Sequence, residues 1–247
     1  MKIPQLCLVL CMLACHTAPT PVPAAASREI LSTGKKLYSQ NDEELIIRDF
    51  FEDRRGGFFL DVGAAHYKQF STTFYLEQHL GWSGIAIDAL SRYAPGYADH
   101  RPSTRFLSFI VTDHSGTEES LYVVAGAEGV SSTMKGWTES FARRFGPGEP
   151  EVTPIQVPTI TLTEVLDRYA VERVDFVSID IEGGEFQALD GFDLDRFKPE
   201  LLCIESGTPV RARLVAALAE RGYRPIEKYA AYDPVNVYFT RAETGVD

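Results

Sequence analysis

The stretch Val174-Asp-Phe-Val-Ser-Ile-Asp-Ile-Glu-Gly-Gly-Glu185 decides the fold of this chain. Its apolar first half is typical of a central strand in a parallel sheet, which is covered on both faces. The glycine pair predicts a turn into a helix. Because residues at i and i+2 of a strand point to the same side, Asp180 and Glu182 are expected to project together. The carboxyl edge of an open α/β sheet binds ligands, so both acids become candidate functional residues.

A simpler interpretation treats these two acids as helix caps beside the glycine turn, since acids are common near helix N-termini. The cost of placing two carboxylates side by side favours a functional use instead.

A second strand and turn lie upstream, in Gly57-Phe-Phe-Leu-Asp-Val-Gly63. A glycine there lets the backbone approach a ligand, and the helix expected over Ser71 to Leu80 offers free N–H groups. Further on, Gly84-Ile-Ala-Ile-Asp88 ends another apolar run in a lone acid. An acid at the end of the second strand of a nucleotide-binding fold accepts hydrogen bonds from ribose hydroxyls. The full G-x-G-x-x-G fingerprint is missing, which argues against NAD or FAD and favours a single-nucleoside cofactor.

The remaining elements alternate between strands and helices, as expected of one α/β domain. A capping box at Thr161-Leu-Thr-Glu164 predicts the start of a helix. The other predicted elements are a third strand over Arg105–Val111, a strand of an inserted hairpin over Ser120–Ala125, a fifth strand over Glu200–Glu205, a helix over Pro209–Arg221, and a closing antiparallel pair over Tyr223–Tyr229 and Val235–Thr240.

Glycine and proline accumulate between residues 125 and 151, which predicts a flexible insertion. We expect it to cover the acceptor site as a lid or specificity loop; a disordered surface loop is the alternative.

Five segments occur in the order expected of the FkbM family of S-adenosylmethionine-dependent methyltransferases, and the chain resembles that family from about residue 41 to about residue 240. The segments are Asp-Val-Gly-Ala (61–64), Trp-Ser-Gly-Ile-Ala-Ile-Asp (82–88), Val-Thr-Asp-His-Ser-Gly (111–116), Val-Pro-Thr-Ile-Thr-Leu (157–162) and Asp-Phe-Val-Ser-Ile-Asp-Ile-Glu-Gly-Gly-Glu (175–185). The resemblance implies a Rossmann-like class I methyltransferase fold. That fold has a mostly parallel seven-stranded sheet, helices on both faces and an antiparallel C-terminal strand pair.

The resemblance also implies O-methylation of a hydroxyl on a sugar or small natural product. Family members usually carry another glycine just after the Asp-Val-Gly-Ala turn, whereas this chain has Ala65-His66-Tyr67. A bulkier loop is expected to narrow the cofactor pocket.

On this basis S-adenosylmethionine is expected to lie across the strand ends. Gly63 and Ala64 would approach its amino-acid part, which Asp61 helps to hold. Asp88 would take the ribose hydroxyls, and Asp113 would lie near the adenine.

The acceptor hydroxyl loses its proton as it attacks, so a base within hydrogen-bond reach is useful. Asp180 or Glu182 is the candidate base, or the two together hold a divalent cation that acidifies the hydroxyl, with Glu205 completing the acidic set. His66 is an alternative base, unless it is a solvated loop histidine.

Residues 1–15 have the positive start and short apolar core of a signal peptide and end in a lipobox-like Met12-Leu-Ala-Cys15. Residues 16–28 form a proline- and alanine-rich linker, and the methyltransferase-like domain follows over 29–247. These features predict an extracytoplasmic protein whose membrane contact is a lipid on Cys15. Cleaved secretion, or a cytoplasmic enzyme with a misassigned start codon, is the alternative.

Composition excludes several classes of function. The formal net charge is −11, with 35 acidic against 24 Lys and Arg residues, which disfavours nucleic acid as a partner. Of the 4 cysteines, Cys203 is the only one after the leader, so it is expected to be a small buried hydrophobe and no disulfide forms within the domain. The 5 histidines show no metal-ligand spacing, which argues against zinc.

Two other functions compete with the methyltransferase. A methyltransferase fold that has lost its activity would bind a glycan or a protein partner. The Ala65-His66-Tyr67 loop, which differs from the family pattern, and the leader favour this alternative. A metal-dependent enzyme would act on a sugar or phosphate through Asp180 and Glu182. The retained acids Asp61, Asp88 and Asp180 favour the methyltransferase.

Overall fold

The computed structural model describes residues 35–125, 131–143 and 151–242 of the chain. The predicted leader over 1–15 and linker over 16–28 lie outside the described residues, as do parts of the 125–151 insertion. No helix among the described residues is long and apolar enough to cross a bilayer.

Within the described residues, ten strands form a large and a small sheet. The strands are β1 (Phe58–Val62), β2 (Ser83–Ile87), β3 (Thr104–Leu107), β4 (Ile110–Val111), β5 (Glu118–Val124), β6 (Val152–Ile160), β7 (Phe176–Ile179), β8 (Leu201–Glu205), β9 (Tyr223–Pro225) and β10 (Asn236–Arg241). The large sheet has 7 strands in the order β3-β2-β1-β7-β8-β10-β9. The pairs from β3 to β8 are parallel, and β10 runs antiparallel to both β8 and β9. This confirms the predicted Rossmann-like class I methyltransferase fold with its antiparallel C-terminal strand pair.

Helices cover both faces of the large sheet. They are α1 (Glu43–Phe51), α2 (Phe74–Leu80), α3 (Ala94–His100), α4 (Lys135–Ala142), α5 (Leu162–Arg168), α6 (Glu185–Asp190), α7 (Leu194–Phe197) and α8 (Thr208–Glu220). One apolar cluster packs α5, α6, α7 and α8 against the sheet, and another packs α1 and α2 against the opposite face.

Successive side chains of β1 point to opposite faces of the sheet and contribute to both apolar clusters. Leu60 and Val62 belong to the α5 side, whereas Phe59 belongs to the α1 and α2 side, where Asp61 also points. Cys203 is 2% exposed and unpaired in the same layer as Phe59, which confirms it as a buried hydrophobe.

The third predicted strand is divided in two. Residues 104–107 join the large sheet, but the chain then turns, and residues 110–111 pair with β6 instead. The Ser108 hydroxyl donates to the Ala89 carbonyl at 3.1 Å and fixes this turn. The continuous strand predicted over Arg105–Val111 was therefore wrong. The strand predicted over Tyr223–Tyr229 also ends early, at Pro225, and Glu227–Ala231 forms a 3₁₀ helix.

The small sheet has the order β4-β6-β5, with β5 and β6 as an antiparallel hairpin. The strand predicted over Ser120–Ala125 is the first arm of that hairpin. The predicted capping box also forms in part: the Glu164 N–H donates to the Thr161 hydroxyl at 3.1 Å at the start of α5.

Candidate active site

A cavity of about 290 Å³ opens at the carboxyl ends of β1, β2 and β7. Gly63 follows β1, Asp88 follows β2, and Asp180 and Glu182 follow β7; all four line the cavity. These strands are neighbours in the sheet, so residues far apart in sequence meet along one edge. Asp113 lines the same cavity, from the chain that follows β4.

Asp88 joins the end of β2 to the loop after β1. Its Oδ2 accepts the Ala65 N–H at 2.9 Å, and its Oδ1 accepts the Leu90 N–H at 2.8 Å. Burial raises the pKa of this carboxyl, although the two backbone N–H groups act in the opposite direction. Each carboxylate oxygen keeps a free lone pair, so Asp88 can still accept a hydroxyl from the cavity.

An apolar wall begins beside Asp88. The Phe109 N–H donates to the Asp88 carbonyl at 3.3 Å, and the side chains of Leu90, Phe109 and Leu121 line the cavity. Such a wall suits a flat, weakly polar ring system. Sequence reasoning missed these residues because Leu90 lies in the turn after β2, Phe109 in the turn between β3 and β4, and Leu121 in the small sheet.

Asp113 lies at the open mouth of the cavity. Its side chain is 52% exposed, and its Oδ1 lies 2.7 Å from Nδ1 of His114. This hydrogen bond lowers the pKa of Asp113. The His114 Nε2 lies 3.3 Å from Glu119, so the imidazole stands between two carboxylates in the cavity wall.

Gly63 is required by contact between two strand ends. Its φ is +83°, and a Cβ there would collide with the carbonyl oxygen of Asp180. The sequence had suggested that this glycine makes room for a ligand; the observed crowding comes from the β7 turn. The N–H groups of Gly63 and Ala64 both donate to the Ile87 carbonyl, at 2.9 and 3.1 Å. Ala64 is 7% exposed and does not line the cavity, whereas Ala65 does.

The bulky loop residues point away from the cavity. Tyr67 stacks on His100 at 4.5 Å between ring centroids and packs over Gly96 of α3. The His66 Nδ1 accepts the N–H groups of residues 68 and 69 at 3.1 and 3.0 Å. Neither ring lines the cavity, so the expected narrowing by these two side chains is not seen, and His66 is not in place to act as a base.

Asp61 also lies away from the cavity wall. It is 4% exposed, and its Oδ2 accepts the Thr73 hydroxyl at 2.6 Å under α2. The structure thus brings together five of the seven predicted site residues and sets Asp61 and Ala64 behind them.

Three carboxyl groups meet beyond β7 and β8. One carboxylate oxygen from each of Asp180, Glu182 and Glu205 lies within 4.8 Å of the others, close enough to hold a divalent cation. Asp180 is exposed where it lines the open cavity, but the protein atoms around it and then the Glu205 carboxyl raise its pKa above the usual range. Burial, then Asp180 and Glu185, raise the pKa of Glu182 to about 9.

Glu205 stands behind Asp180, outside the cavity wall. Burial and Glu182 raise its pKa to about 7, while its hydrogen bond with Asp180 acts to lower it. The two carboxyl groups therefore share a hydrogen bond, the pKa of each is raised, and they take up and release protons as a pair.

The two predicted acids reach the cavity by a turn rather than by strand alternation. β7 ends at Ile179, and Glu182 adopts a left-handed φ of 56°. The N-cap of α6 is Gly184, and no side chain caps it. Glu185, the first residue of α6, instead holds the turn: its Oε1 accepts the Ile181 and Gly183 N–H groups at 3.3 and 3.0 Å.

The described part of the 125–151 insertion closes the end of the cavity that Asp180 and Glu182 line, here called the acidic end. Ser131 and Thr133 line the cavity, whereas the intervening Ser132 is 1% exposed. The Ser132 hydroxyl donates to the Glu182 carbonyl at 2.9 Å. This bond fixes the segment on the turn of residues 180–183, here called the acidic turn. No sequence signal beyond the glycine-rich character of the insertion identified these residues.

The chain is similar to one protein family and to a solved structure. Residues 61–225 match the sequence profile of the methyltransferase FkbM domain, more than half of the chain. Among solved structures, a precorrin 8W decarboxylase of Methanobacterium thermoautotrophicum is similar, with a TM-score of 0.42 and 12% identity over 86% of this chain and 96% of that one. A search of curated proteins found no match.

Proposed function

Because the chain belongs to the FkbM family of methyltransferases, we propose that it uses S-adenosylmethionine to methylate a hydroxyl of a sugar or another small hydroxylated molecule. The observation that carries this proposal is the joint position of Asp88, the apolar wall and the acidic turn around one cavity. The family match favours an enzyme over a non-catalytic binding module.

The cavity residues fit the proposed cofactor chemically. Asp88 can accept ribose hydroxyls, and Leu90, Phe109 and Leu121 offer an apolar surface to the adenine ring. A positively charged sulfonium beside Asp180 and Glu182 would lower their raised pKa values and favour the ionised carboxylates. When bound, S-adenosylmethionine supplies the electrophilic methyl group.

The acceptor is proposed to bind at the acidic end, below Ser131 and Thr133. The protein's main task is to align the acceptor oxygen with the methyl group, which is an entropic gain. The hydroxyl proton then passes to the hydrogen-bonded pair of Asp180 and Glu205, which has one carboxyl that lines the cavity and one behind it. With the cofactor bound, the carboxyl pair would hold the proton of the breaking O–H bond while the oxygen takes the methyl group, and the bonding electrons of the S–CH₃ bond would stay on sulfur.

A divalent cation is the second candidate device for activating the hydroxyl, because three carboxylate oxygens lie within 4.8 Å of one another. The cation would displace protons from Asp180, Glu182 and Glu205 and lower the pKa of a bound hydroxyl. Loss of turnover in chelator and its recovery with Mg²⁺ would favour this device over the carboxyl pair alone.

Calorimetric titration of the domain with S-adenosylmethionine tests the cofactor site. We expect micromolar binding that weakens at least tenfold in Asp88→Asn, because an amide cannot accept hydroxyls at both of its polar atoms. Asp99→Asn, an exposed α3 acid outside the cavity, is the control and should bind normally. Absence of binding at millimolar cofactor would end the proposal.

Asp180→Asn separates chemistry from binding. We expect cofactor affinity within a few-fold of wild type but no methyl transfer, because the amide cannot take up a proton. If cofactor affinity falls instead, Asp180 belongs to the cofactor site and not to the base.

A further inference from the structure

Two buried side chains hold the loop that follows β1: Tyr97 of α3 and Arg101, the C-cap residue of that helix. The Tyr97 hydroxyl, on a side chain 1% exposed, donates to the Ala64 carbonyl at 3.1 Å. The Arg101 Nη1 donates to the Tyr67 carbonyl at 2.9 Å. Between these two carbonyls lies Ala65, the loop residue that enters the cavity wall.

Ala65 needs such support because of its backbone conformation. Its φ is 44°, in the left-handed region that an alanine adopts only at a cost of about 1–2 kcal/mol. Asp88 holds the N–H of Ala65 from one side, at 2.9 Å. Tyr97 and Arg101 hold the flanking carbonyls from the other side. Hydrogen bonds therefore fix both an N–H group and two carbonyl groups of the loop.

The Arg101 guanidinium is itself fixed on every side. Its side chain is 0% exposed and forms an ion pair with Glu77. Its Nη2 donates to the hydroxyls of Thr73 at 3.2 Å and Thr104 at 3.1 Å. A buried, fully paired guanidinium is held in one geometry, and loss of one partner is costly.

Asp61 joins this network through Thr73. The Thr73 hydroxyl accepts from Arg101 and donates to Asp61 Oδ2 at 2.6 Å. Thr73 is 0% exposed, and Asp61 is 4% exposed and does not line the cavity. The carboxylate is therefore a partner of the loop support, one layer behind the ligand.

We propose that Tyr97 and Arg101 are positioning residues that hold the 64–67 loop in its cofactor-binding shape, and that Asp61 acts through Thr73 within the same support instead of touching the cofactor. The inference rests on the proposed function, since it takes the cavity to be the cofactor site. It assigns to α3, which lies behind the cavity, part of the affinity for S-adenosylmethionine.

Tyr97→Phe tests the proposal, because it removes one hydroxyl and leaves the ring. We expect faster amide hydrogen exchange in residues 64–70 of the cofactor-free protein and about fivefold weaker S-adenosylmethionine binding, the usual effect of one lost hydrogen bond. The matched control is Tyr223→Phe: Tyr223 is 2% exposed, and its hydroxyl donates to the Pro199 carbonyl at 3.0 Å, far from the loop. It should lose similar stability and keep wild-type affinity.

A second pair of variants tests Asp61 without changing it. Thr73→Val keeps the shape but removes the hydroxyl between Asp61 and Arg101, whereas Thr73→Ser keeps the hydroxyl. We expect Thr73→Val to weaken cofactor binding and Thr73→Ser to keep most of the wild-type affinity.

The proposal would be overturned if amide hydrogen exchange in residues 64–70 is unchanged in Tyr97→Phe. It would also be overturned if this exchange is faster but the affinity for S-adenosylmethionine is unchanged, because a purely structural role gives that result. Equal loss of affinity in Tyr223→Phe would also overturn it. If the wild-type protein does not bind S-adenosylmethionine, the proposed function fails by that result alone. The exchange comparison needs no cofactor and still decides whether Tyr97 holds the loop.

Discussion

At the scale of single residues, Glu182 combines a functional position with a cost in stability. Burial, Asp180 and Glu185 raise its pKa from 4.5 to about 9. In the unfolded chain this carboxyl ionises near its ordinary pKa, so between these two values the native protein holds a proton that the unfolded protein has lost. The stability linked to this proton is fully present below the unfolded pKa and is lost as pH rises toward 9.

We therefore expect Glu182→Gln to have the same free energy of unfolding as wild type at about pH 4 and a higher one at alkaline pH. Allowing for partial solvation, the difference near pH 8.5 should be roughly 1–3 kcal/mol. Denaturant unfolding across this pH range measures it. Glu118→Gln, an exposed residue of β5, is the control and should show no gap that widens with pH. Parallel curves for Glu182→Gln and wild type would show that the carboxyl is well solvated.

At the scale of elements, Gly63 connects the ends of β1 and β7. A Cβ at this position meets the Asp180 carbonyl, which is backbone and can move only with the acidic turn. Gly116 has the same φ, +83°, but a Cβ there meets nothing within 4 Å. The two glycines thus separate the cost of crowding from the cost of backbone conformation.

We expect Gly116→Ala to lose about 1 kcal/mol from its left-handed φ alone. Gly63→Ala should lose about 2–4 kcal/mol, because overpacking is added to the same conformational cost. Denaturant unfolding of both variants measures the difference. Equal losses would mean that the strand ends separate easily and that the contact does not fix the acidic turn.

Most of the fold was predictable because its signals are local. The apolar run before Asp180, the capping box at Thr161 and the acid at Asp88 each specify an element or its end. The errors arose where tertiary pairing overrides such signals. β6 carries Pro154 and Pro158, which weaken a strand pattern, yet it pairs with both β4 and β5.

The candidate site was predictable where a strand end supplies the residue. Asp88 and Asp180 follow apolar runs, and both line the cavity. Asp61 belongs to a strand end too, but alternation along β1 turns it toward α2 and Thr73. Ser131 and Thr133 come from an insertion whose position over the cavity depends on Ser132 and the Glu182 carbonyl, a contact that no sequence periodicity encodes.

At the scale of the whole molecule, charge limits the acceptor. The chain has a net charge of −11. Among the described residues, the cavity wall includes five carboxyl side chains and no lysine or arginine; the carboxyl residues are Asp88, Asp113, Glu119, Asp180 and Glu182. An anionic group placed near the acceptor hydroxyl would be repelled by those that are ionised and would raise the pKa of those that are protonated.

We therefore expect neutral or cationic acceptors to be used in preference to anionic ones. For any hydroxylated acceptor that is methylated, the matched uronate or phosphate ester should have a kcat/KM lower by tenfold or more. Glu205 is the carboxyl of the acidic group that is partly ionised near neutral pH, since its pKa is about 7. Two like charges at 4 Å cost about 4 kcal/mol at an effective dielectric constant of 20, so even a weakened repulsion from this one carboxylate exceeds a factor of ten. Paired kinetics at about 0.05 and 0.5 M salt measure it, and the gap should narrow at the higher salt because exposed carboxylates such as Asp113 are screened. If an anionic acceptor has the same kcat/KM as its neutral counterpart, then a cation, bound metal or basic side chain offsets the acids during turnover.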